Sequence, residues 1–478
     1  MMNRERVIFY IGTLVAACLA ACAVNPVTGE RELALISEEQ EVAMGRDAAR
    51  QAEAQLGFVE VADLQSYVER VGLGLARDSE RPELPWEFHV IDDPTPNAFA
   101  LPGGFIFVTR GLVELLNSEA ELAAVLGHEI GHVTARHSVN QLSRAQLAQL
   151  GVGLGMVVLP ELQDFGQLAN TGLSLFLLKH GRDDERQADE LGFNYMLDDR
   201  YDVREMANVF EALQASGELA GVSPIPNWLA SHPSEPDRIE AVRARIDALG
   251  PLAPDLEVGA ETYLAELDGL VYGADPREGY FEGGMFYHPE LAFQFRVPEA
   301  WQKQNLKRAV FATSPNRDAA LELTLVSGDA REAAGRFFAQ QAIQPIDSDR
   351  TSINGNDAVV SRFQAETANG GVAGVVAHIA GPGGTYQLVT YAPTPAFNAY
   401  AETFGEIVAS FGPVTDRDVL RVQPRRLEII ELDRDTTLAE FERRYPSEIS
   451  IEELAVLNQV DGAESLLRRG TSVKRVVG

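Results

Sequence analysis

Residues 127–138 read GHEIGHVTARHS, and no other stretch limits the possible fold so closely. His128 and His132 stand four residues apart, with Glu129 between them. On an α-helix, residues i and i+4 share one face a turn apart, so the two imidazoles project side by side. That spacing suits two ligands of a single zinc ion, whose role would be to acidify a water and polarise a carbonyl. Glu129 lies ~100° round the helix, at ~3.6 residues per turn. It can therefore reach such a water without being a ligand, take its proton and pass it to a leaving amine. Ser118 followed by Glu121 is a capping-box pattern and predicts a helix from there to about His137, with Leu122, Val125 and Leu126 facing the core. A core helix with two satisfied histidines is the plain alternative, and two ionisable rings facing a core would need partners.

A zinc site of this kind takes a third protein ligand and leaves a fourth position for water. The later segment DERQADE offers Glu185 and Asp189, again at i and i+4. Glu185 can coordinate the metal, and Asp189 can accept a hydrogen bond from the far ring nitrogen of a ligand histidine and fix its tautomer. Asp183, Asp184 and Glu190 lie on the same acidic helix and compete for these roles. Cysteine supplies no ligand, because the two in the chain, Cys18 and Cys22, both lie near the N-terminus.

The chain has 478 residues, 45% of them hydrophobic, enough for two or three domains with cores of their own. Its formal net charge of -31 repels phosphate backbones and argues against a nucleic-acid partner. Only Lys179, Lys303, Lys307 and Lys474 are lysines, so the positive charge is nearly all arginine.

Residues 1–21 have the three parts of a signal peptide in order: Arg4 and Arg6, an apolar run from Val7 to Ala20, and small residues before Cys22. The run is short for a bilayer span. LAAC resembles a bacterial lipoprotein signal, which implies cleavage before Cys22 and lipidation of that residue. Ala23 in the next position resembles the outer-membrane default. An ordinary secretory signal or an uncleaved anchor is the alternative.

Residues 22–36 read as a turn-rich tether, and Ser37 with Gln40 caps a helix to about Leu56. WEFHVID alternates as a strand, and NAFALPGGFIFVTR reads as two short apolar strands around Pro102-Gly103-Gly104. The first domain, 37–250, is then mainly helical with a small sheet. A linker is expected at 251–278. Strand-like segments dominate 279–415, with helices at 330–342 and 396–411, giving an α+β module. A last unit at 421–478 reads strand–helix–helix–strand. The expected fold class is α+β throughout.

H-E-x-x-H followed some fifty residues later by E-x-x-x-D resembles the M48 (Ste24/HtpX-type) gluzincin metallopeptidases. NPVTGERELALISEEQE, PNAFALPGG, HEIGHVTARHS, ERQADELG and ASHPSEPDRI resemble the soluble, lipid-anchored bacterial members, over roughly residues 24–248. The resemblance implies one Zn2+ per chain held by His128, His132 and Glu185, with Glu129 as general base and Asp189 behind a ligand histidine. It also implies that His232 lies near the metal, either donating to the oxyanion or filling the open position in a closed, self-inhibited state. A turn histidine before Pro233 is the plain reading. His137 and His180 are expected to lie behind the ligands or at the surface.

An edge strand at Asn97, Ala98 and Phe99 could bind substrate by backbone pairing, and a structural hairpin is its alternative. The segment LGVGLGMVVLPEL is too short and broken to span a bilayer and is expected to cap the cleft or rest on lipid. The 279–415 module resembles PsbP-like folds and shows no catalytic constellation; its His288 and His378 are isolated and read as structural. The last unit resembles LysM, which would suit glycan contact, with domain packing as the alternative.

The sequence thus predicts a zinc endopeptidase lipid-anchored to the periplasmic face of the outer membrane. Its substrates would be misfolded or misassembled envelope proteins, and peptidoglycan is a further candidate partner. Two other classes stay open: an envelope chaperone or assembly factor with a silent metal site, and a structural peptidoglycan-binding lipoprotein.

Overall fold

Helix capping and the Pro-Gly-Gly turn set the local structure of the first half of the chain. The computed structural model describes residues 22–33, 35–151, 180–219, 232, 236–340, 342–367 and 370–478. The signal segment 1–21 and nearly all of the expected cleft cap lie outside the described residues. No described helix is long and apolar enough to cross a membrane.

The chain forms two compact units. The first comprises residues up to Gly273 together with Arg426–Val477. Its lead is a hairpin of β1 (Cys22–Val24) and β2 (Arg31–Leu33). Helix α1 (Glu38–Leu56) begins at Ser37, whose hydroxyl accepts from the Gln40 amide while the Gln40 side chain accepts from the Ser37 amide. Helix α2 (Ala62–Arg77) follows, then strands β3 (Glu87–Ile91), β4 (Ala98–Leu101) and β5 (Phe105–Thr109). The sheet order is β3-β5-β4, with β3 parallel and β4 antiparallel to β5. Gly103 and Gly104 make the β4–β5 turn with φ of 82° and 104°, values that side-chain-bearing residues rarely adopt.

Helix α3 (Arg110–Leu115) leads into α4 (Glu119–Thr134), every residue of which is buried. Ser118 accepts from the Glu121 amide, but the Glu121 carboxylate accepts from Asn117 and Gln459 instead of Ser118, so the expected reciprocal box is half made. The helix also stops before His137. Arg136 turns left-handed at φ 58°, held by its bonds to Glu41 and the Ile36 carbonyl, and α5 (His137–Gly151) starts afresh. Helices α6 (Arg182–Asp198), α7 (Glu205–Leu219), α8 (Pro236–Leu249) and α9 (Ala260–Leu267) complete this half.

Three segments depart from their expected roles. Residues 22–36 do not all hang free as a tether: Asn25 is buried and its side-chain amide donates to the Ala135 carbonyl at 3.4 Å. Residues 251–278 are not a plain linker, because α9 buries Tyr263, Leu264 and Leu267 in the main core. The C-terminal strand–helix–helix–strand belongs to the first unit, with Leu427, Phe441, Leu454 and Val476 in the same core. Its strands Arg426–Glu431 and Ser472–Val477 pair antiparallel around helices Leu438–Arg444 and Ile451–Leu457.

The second unit, Ala274–Arg425, is built on a seven-stranded antiparallel sheet running from Gln302–Leu306 at one edge to Ile343–Ile353 at the other. Helices Ala330–Phe338 and Phe397–Ala409 pack through Phe337 and Phe404 into separate apolar clusters. His288 and His378 lie on its strands, and the His378 Nε2 pairs with Gln387 at 3.0 Å.

Candidate metal centre

The site exists because α4 and α6 touch backbone to backbone. Small residues recur four apart on both helices: Gly127 and Gly131 on one, Ala188 and Gly192 on the other. A Cβ added at Gly192 would stand 2.8 Å from the His128 amide nitrogen, and one at Gly131 would stand 3.0 Å from the Ala188 Cα. That approach carries Glu185, in the first turn of α6, to the imidazoles of α4.

His128, His132, Glu185 and His232 each offer a ligand atom, and these four atoms lie within 4.8 Å of one another, all buried. The Nε2 atoms of His128 and His132 are 3.0 Å apart. Glu185 reaches to 3.6 Å from the first and 3.5 Å from the second. His232 Nδ1 lies 3.2 Å from His128 Nε2 and 3.1 Å from Glu185 Oε1, so it stands beside the ligand atoms, not on a remote turn.

Each α4 histidine is held from behind. The far nitrogen of His128, Nδ1, is 2.8 Å from Asp189 Oδ1. Asp189 in turn accepts from Arg238 Nε and Nη2, both at 2.7 Å, while Arg238 Nη1 sits 2.9 Å from Glu185. The far nitrogen of His132 is 2.9 Å from His137 Nδ1, and His137 Nε2 is 3.0 Å from Gln187 Oε1. His180 stacks on His132 with ring centroids 4.0 Å apart.

Glu129 stands apart from this network. It is buried, neither carboxylate oxygen has a hydrogen-bond partner, and its nearest charged neighbour is His232 Nε2 at 3.5 Å. An unsatisfied buried carboxylate is costly and implies a proton-bearing group between it and the histidines. Two imidazoles, a carboxylate and this orphaned base fit a tetrahedral divalent metal with nitrogen and oxygen donors, of which zinc is the common case.

Burial works to raise the Glu185 carboxyl, but His232, His128 and Arg238 outweigh it and hold the group below its usual range. Burial also works to raise Asp189, and Arg238 and His128 reverse it. Burial lowers His132 well below an ordinary histidine, and it pushes His180 down to about 3 with His232 adding repulsion. His232 alone moves up: burial opposes its charge, but Glu185 and Glu129 favour it.

Strand β4 ends the sheet, as an edge strand would. The Thr109 amide donates to the Asn97 carbonyl at 2.9 Å. Alternation along an antiparallel ladder then turns the backbone groups of Ala98 and Ala100 outward from β5. The side chains point into cores, Ala98 toward α4 and Phe99 onto Phe107 at 5.0 Å, so recognition by β4 would rest on its backbone.

Arg238 and Gln187 stand at the site without a motif of their own to mark them in the sequence. For Arg238 the signal was its position in SHPSEPDR, six residues after His232. Glu185 and Asp189 stand at the site, Asp184 lies 3.8 Å from His137, Asp183 pairs with Arg186, and Glu190 pairs with Arg245. His137 stands behind His132, and His180 stacks on the His132 ring.

Comparison with known proteins agrees with this geometry. The profile of peptidase family M48 matches residues 62–246. Mitochondrial metalloendopeptidase OMA1 of Schizosaccharomyces pombe is 31% identical over 241 residues, which is 50% of this chain and 68% of that protein. The beta-barrel assembly-enhancing protease of Yersinia pestis is 28% identical over 275 residues, 55% of each chain, and that of Escherichia coli K12 is 26% identical over 265 residues. The chain thus spans about half the length of these bacterial relatives. Among solved structures it is similar to cyanobacterial PsbP from Synechocystis at a TM-score of 0.24 and 13% identity, covering 28% of this chain and 98% of that one, a level that carries no argument. With a converging His-His-Glu-His cluster between two helices and a relative matched over two thirds of its length, the chain belongs to peptidase family M48, the zinc metalloproteases.

Proposed function

We propose that this chain is a zinc endopeptidase of the bacterial cell envelope, acting on misfolded or misassembled envelope proteins. His128, His132 and Glu185 would hold the metal, and a lipid on Cys22 would anchor the protein to the periplasmic face of the outer membrane. The observation that carries the chemistry is the buried Glu129 carboxylate, without a hydrogen-bond partner, beside four converging donors. Zinc, when bound, supplies the Lewis acidity that activates water and polarises the scissile carbonyl.

The chain's own residues do the rest. Glu129 accepts the proton of the attacking water and returns it to the leaving amine. Asp189 fixes the His128 ring with Nε2 turned toward the other ligand atoms, and Arg238 orients Asp189 and Glu185 together. The outward backbone of β4 supports pairing with an extended, unfolded peptide near Asn97, Ala98 and Phe99, which favours misfolded substrates over a sequence motif. His232 fits two roles. As a fourth donor it would close the site at rest; displaced from there, it could donate to the oxyanion.

The envelope assignment is supported by the bacterial relatives' name and by the signal-like N-terminus. His232 among the ligand atoms also favours a second reading, an assembly factor whose site stays closed. A Glu129→Gln variant separates the two. It should keep stoichiometric zinc and the fold but lose casein cleavage by about 10²–10⁴-fold, the usual worth of a general base. Wild-type digestion by this variant would remove Glu129 from the chemistry. An envelope phenotype untouched by the substitution would favour the assembly factor.

A further inference from the structure

We infer that His137 and Gln187 form a neutral tautomer relay that sets which nitrogen of His132 is free for the metal. The two α4 histidines are supported differently. His128 leans on an ion pair, Asp189 with Arg238. His132 leans on an uncharged pair: its Nδ1 lies 2.9 Å from His137 Nδ1, whose Nε2 lies 3.0 Å from Gln187 Oε1. His137 is buried, 4% exposed, so solvent does not reset the arrangement.

Hydrogen-bond direction along such a chain is all-or-none. With the Gln187 carbonyl toward the ring, His137 must carry its proton on Nε2. Its bare Nδ1 then accepts from His132 Nδ1–H, and His132 Nε2 keeps a lone pair for the metal. With the amide turned over, Gln187 donates to His137 Nε2, His137 donates from Nδ1 to His132 Nδ1, and the His132 proton moves to Nε2, where it blocks ligation. One amide orientation, two residues from Glu185 on α6, thus governs whether His132 can bind, and the Asp184 carboxylate, 3.8 Å from His137 Nε2, favours the binding arrangement. The inference rests on the zinc reading of the site, with His137 and Gln187 as positioning residues.

Gln187→Glu, as a carboxylate, can only accept, so it should hold the binding tautomer and bind zinc at least as tightly as the wild type in a chelator competition assay. Gln187→Leu removes the control and should weaken zinc roughly 10- to 100-fold, the usual worth of a partner behind a ligand. His137→Asn restores an acceptor and should recover part of what His137→Ala loses. In the metal-free protein, ¹⁵N NMR should report His132 with its proton on Nδ1 in wild type and Gln187→Glu, and a mixture of tautomers in Gln187→Leu. Equal zinc affinity and the same His132 tautomer in all Gln187 variants would overturn the relay. Absence of zinc from the wild type, with the tautomer still following residue 187, would fault the metal reading alone.

Discussion

Gly127 and Gly192 meet across α4 and α6 with no side chain between them: a Cβ built at Gly127 would lie 3.1 Å from the Gly192 Cα. This contact, not any ligand, sets the distance from the imidazoles to Glu185.

Gly192→Ala therefore tests the site without changing any ligand side chain. In an ordinary helix interior Gly→Ala stabilises by about 0.5–1 kcal/mol. Here the new methyl meets the His128 amide nitrogen at 2.8 Å, an overpacking that costs roughly 1–3 kcal/mol. We expect the balance to be destabilising, with a lower Tm and zinc bound below one equivalent. A raised Tm with full zinc would show that the helices can part without cost.

Acidification should loosen the centre. Burial holds His132, His137 and His180 below the ordinary histidine value of 6.5, His180 down to about 3. The unfolded chain takes up protons below about 6.5 that the folded chain refuses, so the stability these groups contribute is present above that pH and lost as it falls toward their folded values. His232 runs the other way: its raised value adds stability at low pH that is lost as pH rises through that value. The three depressed rings predict a greater loss of Tm from pH 7.5 to 5 in chelator-treated wild type than in His180→Asn, which lacks one of them; Glu114 and Glu121, raised to about 7 by burial, work the other way and are common to both proteins. Equal losses in the two proteins would contradict the burial of His180 as a neutral ring.

The parts of the site that follow helical periodicity were legible in the sequence: His128, His132, Glu185 and Asp189 each stand four residues from a partner. The parts set by contacts between distant segments were not. Arg238 meets Asp189 from 49 residues away, and no spacing rule joins them. The break at Arg136 was hidden because the residues after it still read as helix; Glu41, 95 positions earlier, fixes the turn. The C-terminal strands and helices were visible, but their docking was not, because it rests on contacts between distant segments, one of them made by a buried lysine.

That lysine is Lys474, fully buried, with its ammonium donating to the carbonyls of Glu114 at 2.7 Å, Leu116 at 3.0 Å and Leu115 at 3.3 Å. These carbonyls close α3, immediately before the zinc-site helix. Burial pushes the ammonium down to about 7, against the pull of Glu121 and Glu114. Lys474→Met would take the ammonium from the Glu114 and Leu116 carbonyls beside two buried carboxylates, while Leu115 still accepts from Gln459, a loss of about 3–5 kcal/mol by analogy with broken buried ion pairs. Denaturant unfolding should show this as a lowered midpoint. An unchanged midpoint would mean that the C-terminal segment contributes little to the catalytic unit.

The lead sequence carries the last prediction. Asn25 is buried against Ala135, Val27 packs on the main core, and Arg136 donates to the Ile36 carbonyl. With a lipid on Cys22, the three residues to Asn25 allow a reach of at most ~11 Å. Ala135 follows His132 by three residues, ~4.5 Å along the helix. The proposed anchor would then hold the zinc site near the bilayer, where a membrane-bound unfolded chain would be the nearest substrate. Twenty Gly/Ser residues inserted between Val24 and Asn25 should extend the reach to ~25 Å on average. In proteoliposomes, with acylation of both proteins checked by mass, the insertion should slow cleavage of a vesicle-bound unfolded substrate several-fold while leaving soluble casein cleavage as in the wild type. Equal rates on the vesicle-bound substrate would show that the short lead does not direct the enzyme to the membrane surface.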